Sequence, residues 1–393
     1  MASKIPVHVE VILRRGSPNG IATSTSESGG DKLTSTDMKE AIVRYLSTTC
    51  PVFKNGTLQI IPDSTSMNNL NFVESICICD LEENQTVSFW QANVCVHLVA
   101  LEDSLPEKDF IDGIDGEEGT TTAYEQWELP NRHLSGLWES IVLDNVIKNN
   151  LLGYCSTSML FSDAFIDPNI ISWNRMVLLY GPPGTGKTTL CKALAHKLFI
   201  RCSHGKYQSG ILMEINSHSL FSKWFSESGK LVMKLFDQIS EIAEDEECLV
   251  VVLIDEVESI ASARSASARS NEPGDAVRVV NAVLTSLDAL KRKPNVFVLC
   301  TSNMVSGIDE AFRDRVDYSV YIGPPSPAAR YQIMRTCLEE LVEKGIIECP
   351  VYSGEHLERK CGLKRTLNES KQDDLLHCKL QKVAKLTEVN KLF

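Results

Sequence analysis

Residues Gly181-Pro182-Pro183-Gly184-Thr185-Gly186-Lys187-Thr188 fit the spacing G-x-x-x-x-G-K-[ST]. Glycines at this spacing let a chain turn tightly, so that successive backbone N–H groups point inward at phosphate oxygens. The lysine adds a point charge for the β- and γ-phosphates, and the threonine hydroxyl is a hard donor for Mg²⁺. The apolar run Met176–Tyr180 precedes the loop, and Thr189–Ala195 reads as the helix whose positive end faces the same anion. Two later stretches complete a candidate hydrolytic site. Val250–Ile254 is an apolar strand ending in Asp255-Glu256, a pair able to position the metal (Asp255) and to deprotonate an attacking water (Glu256). Val298–Ser302 is a second such strand, and it ends in Asn303, whose amide suits a γ-phosphate sensor. Arg313 and Arg315 follow in Ile308–Asp317, where an arginine lent to a neighbouring subunit would stabilise charge on the transferred phosphoryl. Surface arginines ordinarily only solvate a face, so these two carry less weight than the loop.

The elements that must hold these residues are legible as a pattern. From Trp127 onward strands and helices alternate: strands at 175–180, 211–216, 249–254 and 296–300, helices at 187–198, 231–243 and 277–290. Continuous apolar strands separated by amphipathic helices imply a parallel sheet covered on both faces, with ligands at its carboxyl edge. The first hundred residues differ. Val7–Val11 alternates as a strand does, 16–36 is a Ser/Gly/Thr-rich loop, and Thr36–Leu46 has helical periodicity with Thr36 or Asp37 as cap. Short strand-like runs follow at 57–61, 73–78 and 95–101. The segment 102–124 is acidic and rich in Gly and Thr, and reads as a linker. The division is therefore 1–101 as a small α+β substrate- or adaptor-recognition domain, 102–124 as linker, 125–325 as the α/β ATPase domain, and 326–393 as a partial helical lid.

Composition narrows the class. The chain has 393 residues, and its formal net charge of −13 argues against binding nucleic acid through its whole surface. The longest apolar run, Cys248–Ile254, is far below the ~20 residues that span a bilayer. No secretory leader is visible at the N-terminus, so an intracellular protein is expected. The 13 cysteines include no C-x-x-C pair. Cys77 and Cys79 share a strand face, but no further zinc ligands follow at regular spacing, and reduced thiols are expected.

The nucleotide elements, in this order, resemble those of the AAA+ ATPases. Three further stretches resemble the pachytene checkpoint (thyroid-receptor-interacting) subfamily: Asn216–Lys230 with Lys223-Trp224-Phe225-Ser226-Glu227-Ser228, Val279–Thr285, and His133–Glu139. The resemblance implies a homo-hexamer that hydrolyses ATP with Mg²⁺ and remodels HORMA-domain proteins, presented through a HORMA-fold adaptor. Meiotic recombination and synapsis control and spindle-checkpoint regulation are the implied settings, in the nucleus on chromosomes and in the cytoplasm, with neither membrane nor direct nucleic-acid binding. It also assigns Trp224 and Phe225 to a pore loop that grips an extended substrate, in keeping with aromatics that no apolar period calls into a core. Residues 262–274, with Arg264 and Arg269, read equally as a second pore loop or as plain surface. Of the two arginines, Arg315 is preferred as the finger, with Arg313 in reserve.

One stretch departs from the subfamily. Its Gly-Leu-Ser-Gly-Arg sensor segment has no counterpart after Pro350, and 351–393 holds nine Lys/Arg against six Asp/Glu. An incomplete helical lid is expected there. The alternative function is a nucleotide-binding but hydrolysis-deficient regulatory partner of such a ring.

Overall fold

A computed structural model describes residues 4–14, 34–58, 71–81, 85–110, 122–167, 170–171, 173–203, 205–216, 228–259, 274–304, 308 and 310–346. The chain divides into two compact units, Met1–Ser326 and Pro327–Phe393.

The first unit is built on a seven-stranded sheet of order β13-β9-β12-β11-β10-β8-β7. Five strands are parallel: β9 (Met176–Tyr180), β10 (Ser209–Asn216), β11 (Cys248–Asp255), β12 (Val296–Ser302) and β13 (Tyr318–Tyr321). Their side chains supply two cores in alternation. On β11, Val250, Val252 and Ile254 pack in one core with helices α5 (Ser228–Ile242) and α6 (Gly274–Leu290), while Leu249, Val251 and Leu253 pack in the other with α3 (Asn145–Asp163) and α4 (Lys187–Cys202). Burial on both faces is why these strands read as unbroken apolar runs. The remaining helices are α1 (Ser35–Thr49), α2 (Leu137–Ser140), α7 (Glu310–Arg313) and, in the second unit, α8 (Pro327–Glu343).

The sheet continues into the segment read as linker. β8 (Thr122–Leu129) pairs antiparallel with β10, and β7 (Glu107–Phe110) pairs antiparallel with β8. Within 102–124 the described residues are thus partly sheet, and 111–121 lie outside them. Acidic side chains conceal β7 because it is the edge strand, whose outer side tolerates charge, while β8 lies between it and β10. Buried Arg175 opens β9, donating to the carbonyls of Val296 (3.0 Å), Lys293 (2.8 Å) and Lys291 and to the Ser162 hydroxyl (3.1 Å). It ties β9 to β12, α3 and the turn after α6, and burial holds its pKa below the usual value.

The N-terminal sheet has the order β3-β4-β1-β6, from β1 (Ile5–Leu13), β3 (Gly56–Leu58), β4 (Val73–Cys79) and β6 (Ala92–Val99). β2 (Val52–Phe53) and β5 (Val87–Ser88) form a separate two-stranded pair. Helix α1 covers one face with Met38, Ile42 and Leu46. Its cap is Thr34 rather than Thr36 or Asp37: the Thr34 hydroxyl accepts the Asp37 N–H (3.2 Å) and Asp37 accepts the Thr34 N–H (3.0 Å), a reciprocal capping box.

The other face of this sheet carries His8, Glu10, Cys77 and Cys79 and rests on α4. Lys197 of α4 bonds Glu10 (2.8 Å) and Glu139 of α2 (2.7 Å), and Arg201 bonds Glu10 (2.9 Å) and Asp80. Lys197 is 2 % exposed and Glu10 8 %. Burial works against both cations, but the surrounding acids outweigh it and raise their pKa values, while Asp80 and Glu139 are lowered by the same cations. Glu10, Cys79 and Glu139 together offer a three-ligand set of the kind that holds a metal, and two of the three are already bonded to the Lys197 ammonium. The Cys77 and Cys79 thiols lie 3.6 Å apart, unoxidised.

Candidate active site: the phosphate loop and the ends of three strands

The phosphate loop leaves the carboxyl end of β9 and enters α4 at Lys187. Gly181 has φ +152°, and a Cβ there would stand 2.1 Å from the carbonyl oxygen of Ile322, so only glycine fits. Gly186, the residue that caps α4, has φ +83°. Such a backbone is open to glycine and strained for other residues, and it turns the first N–H groups of α4 toward the loop. The Gly181 N–H bonds the Ser302 carbonyl at 3.1 Å, which fastens the loop to the end of β12.

Lys187 is buried, and its Nζ donates to the carbonyls of Gly181 (3.0 Å) and Pro182 (2.8 Å). Burial pushes its pKa below the ordinary value, against the pull of Glu258 and Asp255. The next residue, Thr188, donates through Oγ1 to Asp255 Oδ1 at 2.9 Å. The two motifs far apart in sequence thus meet through one hydrogen bond, and the donors they present are hard oxygens, the set Mg²⁺ prefers.

Glu256 follows Asp255 with φ +57°, a left-handed backbone that costs a non-glycine residue about 1–2 kcal/mol. Its N–H bonds Thr301 Oγ1 at 3.1 Å, and the next N–H, of Val257, bonds the Thr301 carbonyl at 3.0 Å. Thr301 Oγ1 also donates to Asp255 Oδ1. Asn303 stands at the end of β12, its N–H bonded to Glu258 Oε1 at 3.1 Å. Thr301 and Glu258 were not singled out by the sequence. Thr301 reads there as one more strand residue, and the signal that marks it is a hydroxyl, shared with Ser302, where an apolar strand turns polar at its end.

The arginines lie nearby in chain order. Arg315 is held bidentately by Asp288 (2.8 and 2.7 Å) and donates to the Ala311 carbonyl (2.6 Å), which fixes the plane of its guanidinium. Arg313 closes α7 and is exposed. Trp224 and Phe225, and 262–273 of the second pore-loop candidate, lie outside the described residues, as does the lid segment 351–393.

A P-loop on the parallel part of the sheet, with a polar amide at the end of the neighbouring strand and an acidic pair at the end of the strand beyond it, defines an AAA-type ATPase. The sequence agrees: residues 177–324 match the ATPase family associated with various cellular activities (AAA), and residues 2–104 match the TRIP13 N-terminal domain. The chain is 47% identical over 349 residues to the pachytene checkpoint protein 2 homolog of Xenopus tropicalis, covering 88% of this chain and 76% of that protein. It is 45% identical to the Arabidopsis thaliana homolog over 343 residues, covering 86% and 72%. A solved structure of C. elegans PCH-2 superposes with a TM-score of 0.71 at 32% identity, covering 94% of this chain and 86% of that one. The chain belongs to the pachytene checkpoint protein 2 family, and it is an ATPase.

Proposed function

We propose that this ATPase works as a homo-hexameric ring that remodels HORMA-domain proteins, received through a HORMA-fold adaptor at its N-terminal domain. The observation that carries this reading is the pairing, in one chain, of a TRIP13-type N-terminal domain with a complete phosphate loop and acidic pair. Its settings are meiotic recombination and synapsis control and the spindle checkpoint, in the nucleus on chromosomes and in the cytoplasm.

Each residue of the site then has a task. The loop from Gly181 to Gly186 wraps the phosphates with backbone N–H groups, and Lys187 exchanges its loop carbonyls for phosphate oxygens. Thr188 and Asp255 would hold Mg²⁺, which would supply neutralising charge to the phosphates. Glu256 takes the proton of the attacking water, and Asn303 contacts the γ-phosphate or that water. An arginine from the neighbouring subunit completes the charge balance. Arg315, whose guanidinium is held in plane by Asp288, is the preferred finger, with Arg313 in reserve. Trp224 and Phe225 grip the extended substrate.

The test is Glu256→Gln, studied with ATP. The phosphate cradle is untouched, so ATP should bind as before while phosphate release stops, and the native mass should be that of six chains. Adding a HORMA-domain substrate and its adaptor should give a stable assembly with the Gln protein and conversion of the substrate with the parent. Parental turnover by the Gln protein sinks the base assignment, and a monomer with ATP sinks the ring.

A further inference from the structure

We infer that Thr301 is a positioning residue for ATP hydrolysis, acting on Asp255 and Glu256 together. The inference rests on Glu256 being the base, and it adds a component of the site that neither its motifs nor its order along the chain specifies.

Thr301 lies between the two nucleotide motifs. Its strand, β12, is flanked by β9, which leads into the phosphate loop, and by β11, which ends in the acidic pair, and Thr301 is the register partner of Leu179 on β9. At 2 % exposure its side chain has no access to water to satisfy it. Three hydrogen bonds join it to the acidic pair and the residue after it. Oγ1 donates its hydrogen to Asp255 Oδ1, Oγ1 accepts the Glu256 N–H, and the Thr301 carbonyl accepts the Val257 N–H. The hydroxyl is therefore used in both directions, and its donation fixes which group it must accept from.

The consequence falls on two different atoms of the chemistry. Asp255 Oδ1 is shared by Thr188 Oγ1 and Thr301 Oγ1, which sets the rotation of the carboxylate that faces the metal. Glu256 is left-handed, a backbone it would leave without support, and the Thr301 hydroxyl and carbonyl grip the two successive N–H groups that define that turn. The direction of the Glu256 side chain follows from its backbone. A base displaced by about 1 Å loses on the order of 100-fold in rate, whereas the phosphate cradle, built from β9 and α4, makes no hydrogen bond to the Thr301 side chain.

Thr301→Val keeps the shape and deletes the hydroxyl. Expected are a kcat lower by about 10- to 100-fold, a higher Mg²⁺ concentration for half-maximal rate, and affinity for a fluorescent ATP analogue within about threefold of the parent. Thr301→Ser, which keeps the hydroxyl, should restore most of the rate. A residue that only packs would move the melting temperature but would not split kcat from nucleotide affinity, and would not separate Ser from Val by hydroxyl. A Val protein that turns over within about twofold of the parent, or one that loses nucleotide binding along with turnover, overturns the inference. Should the Val protein not fold, Ser against Ala at 301 carries the comparison: a fast Ser with a slow, nucleotide-competent Ala supports it, and equal rates overturn it. Glu256→Gln measured beside them separates the two claims. An active Gln protein removes the base reading itself, while an inactive Gln protein beside a fully active Val protein removes only the role of Thr301.

Discussion

At the scale of single residues, Gly181 shows how little room the phosphate loop has. Alanine there would place a methyl group against the Ile322 carbonyl, which itself belongs to a bonded backbone, since the Ile322 N–H is tied to Tyr180. Either the loop or the chain beyond β13 must move. Gly181→Ala should weaken ATP binding about tenfold or more, the equivalent of ~1.4 kcal/mol, as read by titration with a fluorescent nucleotide. Binding at parental affinity would show that the loop has slack. Glycine spacing, lysine and threonine are visible in sequence because phosphate chemistry demands residue types. The Thr301 hydroxyl was not visible, because its importance comes from lying beside Asp255 in space, and neighbouring strands of a parallel sheet are separated in sequence by their crossovers.

Among the elements, α4 has the most demanding sequence. One end carries Lys187 and Thr188, and near its other end Lys197 and Arg201 enter the buried ion network with Glu10, Asp80 and Glu139. Lys197→Met leaves Glu10 with Arg201 alone and Glu139 without this partner, so unfolding by denaturant should come earlier by about 3 kcal/mol. Adding Glu10→Gln should return some of that loss, and a double change costing the sum of the two single ones would show that the pair is not coupled. The parallel strands were legible because burial on both faces makes them apolar throughout. β1 was legible as a strand by its alternation, but its surroundings were not. Its pattern Val7-His8-Val9-Glu10-Val11 marks a strand but not what its polar side meets, which is a helix of the ATPase domain. Alternation reports polarity, and a charged contact between domains is as polar as solvent. β7 and β8 were hidden likewise by acidic composition, although they extend the sheet.

For the whole molecule, buried His196 and half-buried His8 contribute to the response to acid. The pKa of His196 is held down to about 4 by burial and then by Lys197, and that of His8 to about 4 by burial and then by Arg201. Unfolded, each titrates near ~6.5. Their folded values are depressed, so the stability they contribute is complete above ~6.5 and is lost as pH falls from there toward ~4, where the unfolded chain binds the additional protons. Between about pH 7 and pH 5, His196 alone should cost about 2 kcal/mol. Melting curves across that range should slope downward with acid, and His196→Gln should flatten the slope. A slope unchanged by the substitution would assign the sensitivity elsewhere. The interface that holds Glu10 against Lys197 and Arg201 also determines how the chain can be cut. Severing residues 1–101 from the rest would not yield a pair of finished bodies. It would expose one sheet face bearing an acid and leave two cations on α4 without the carboxylates of Glu10 and Asp80. Dissection at that boundary is an incision through a core, and a truncated ATPase fragment would carry a wound on the same helix that begins at the nucleotide.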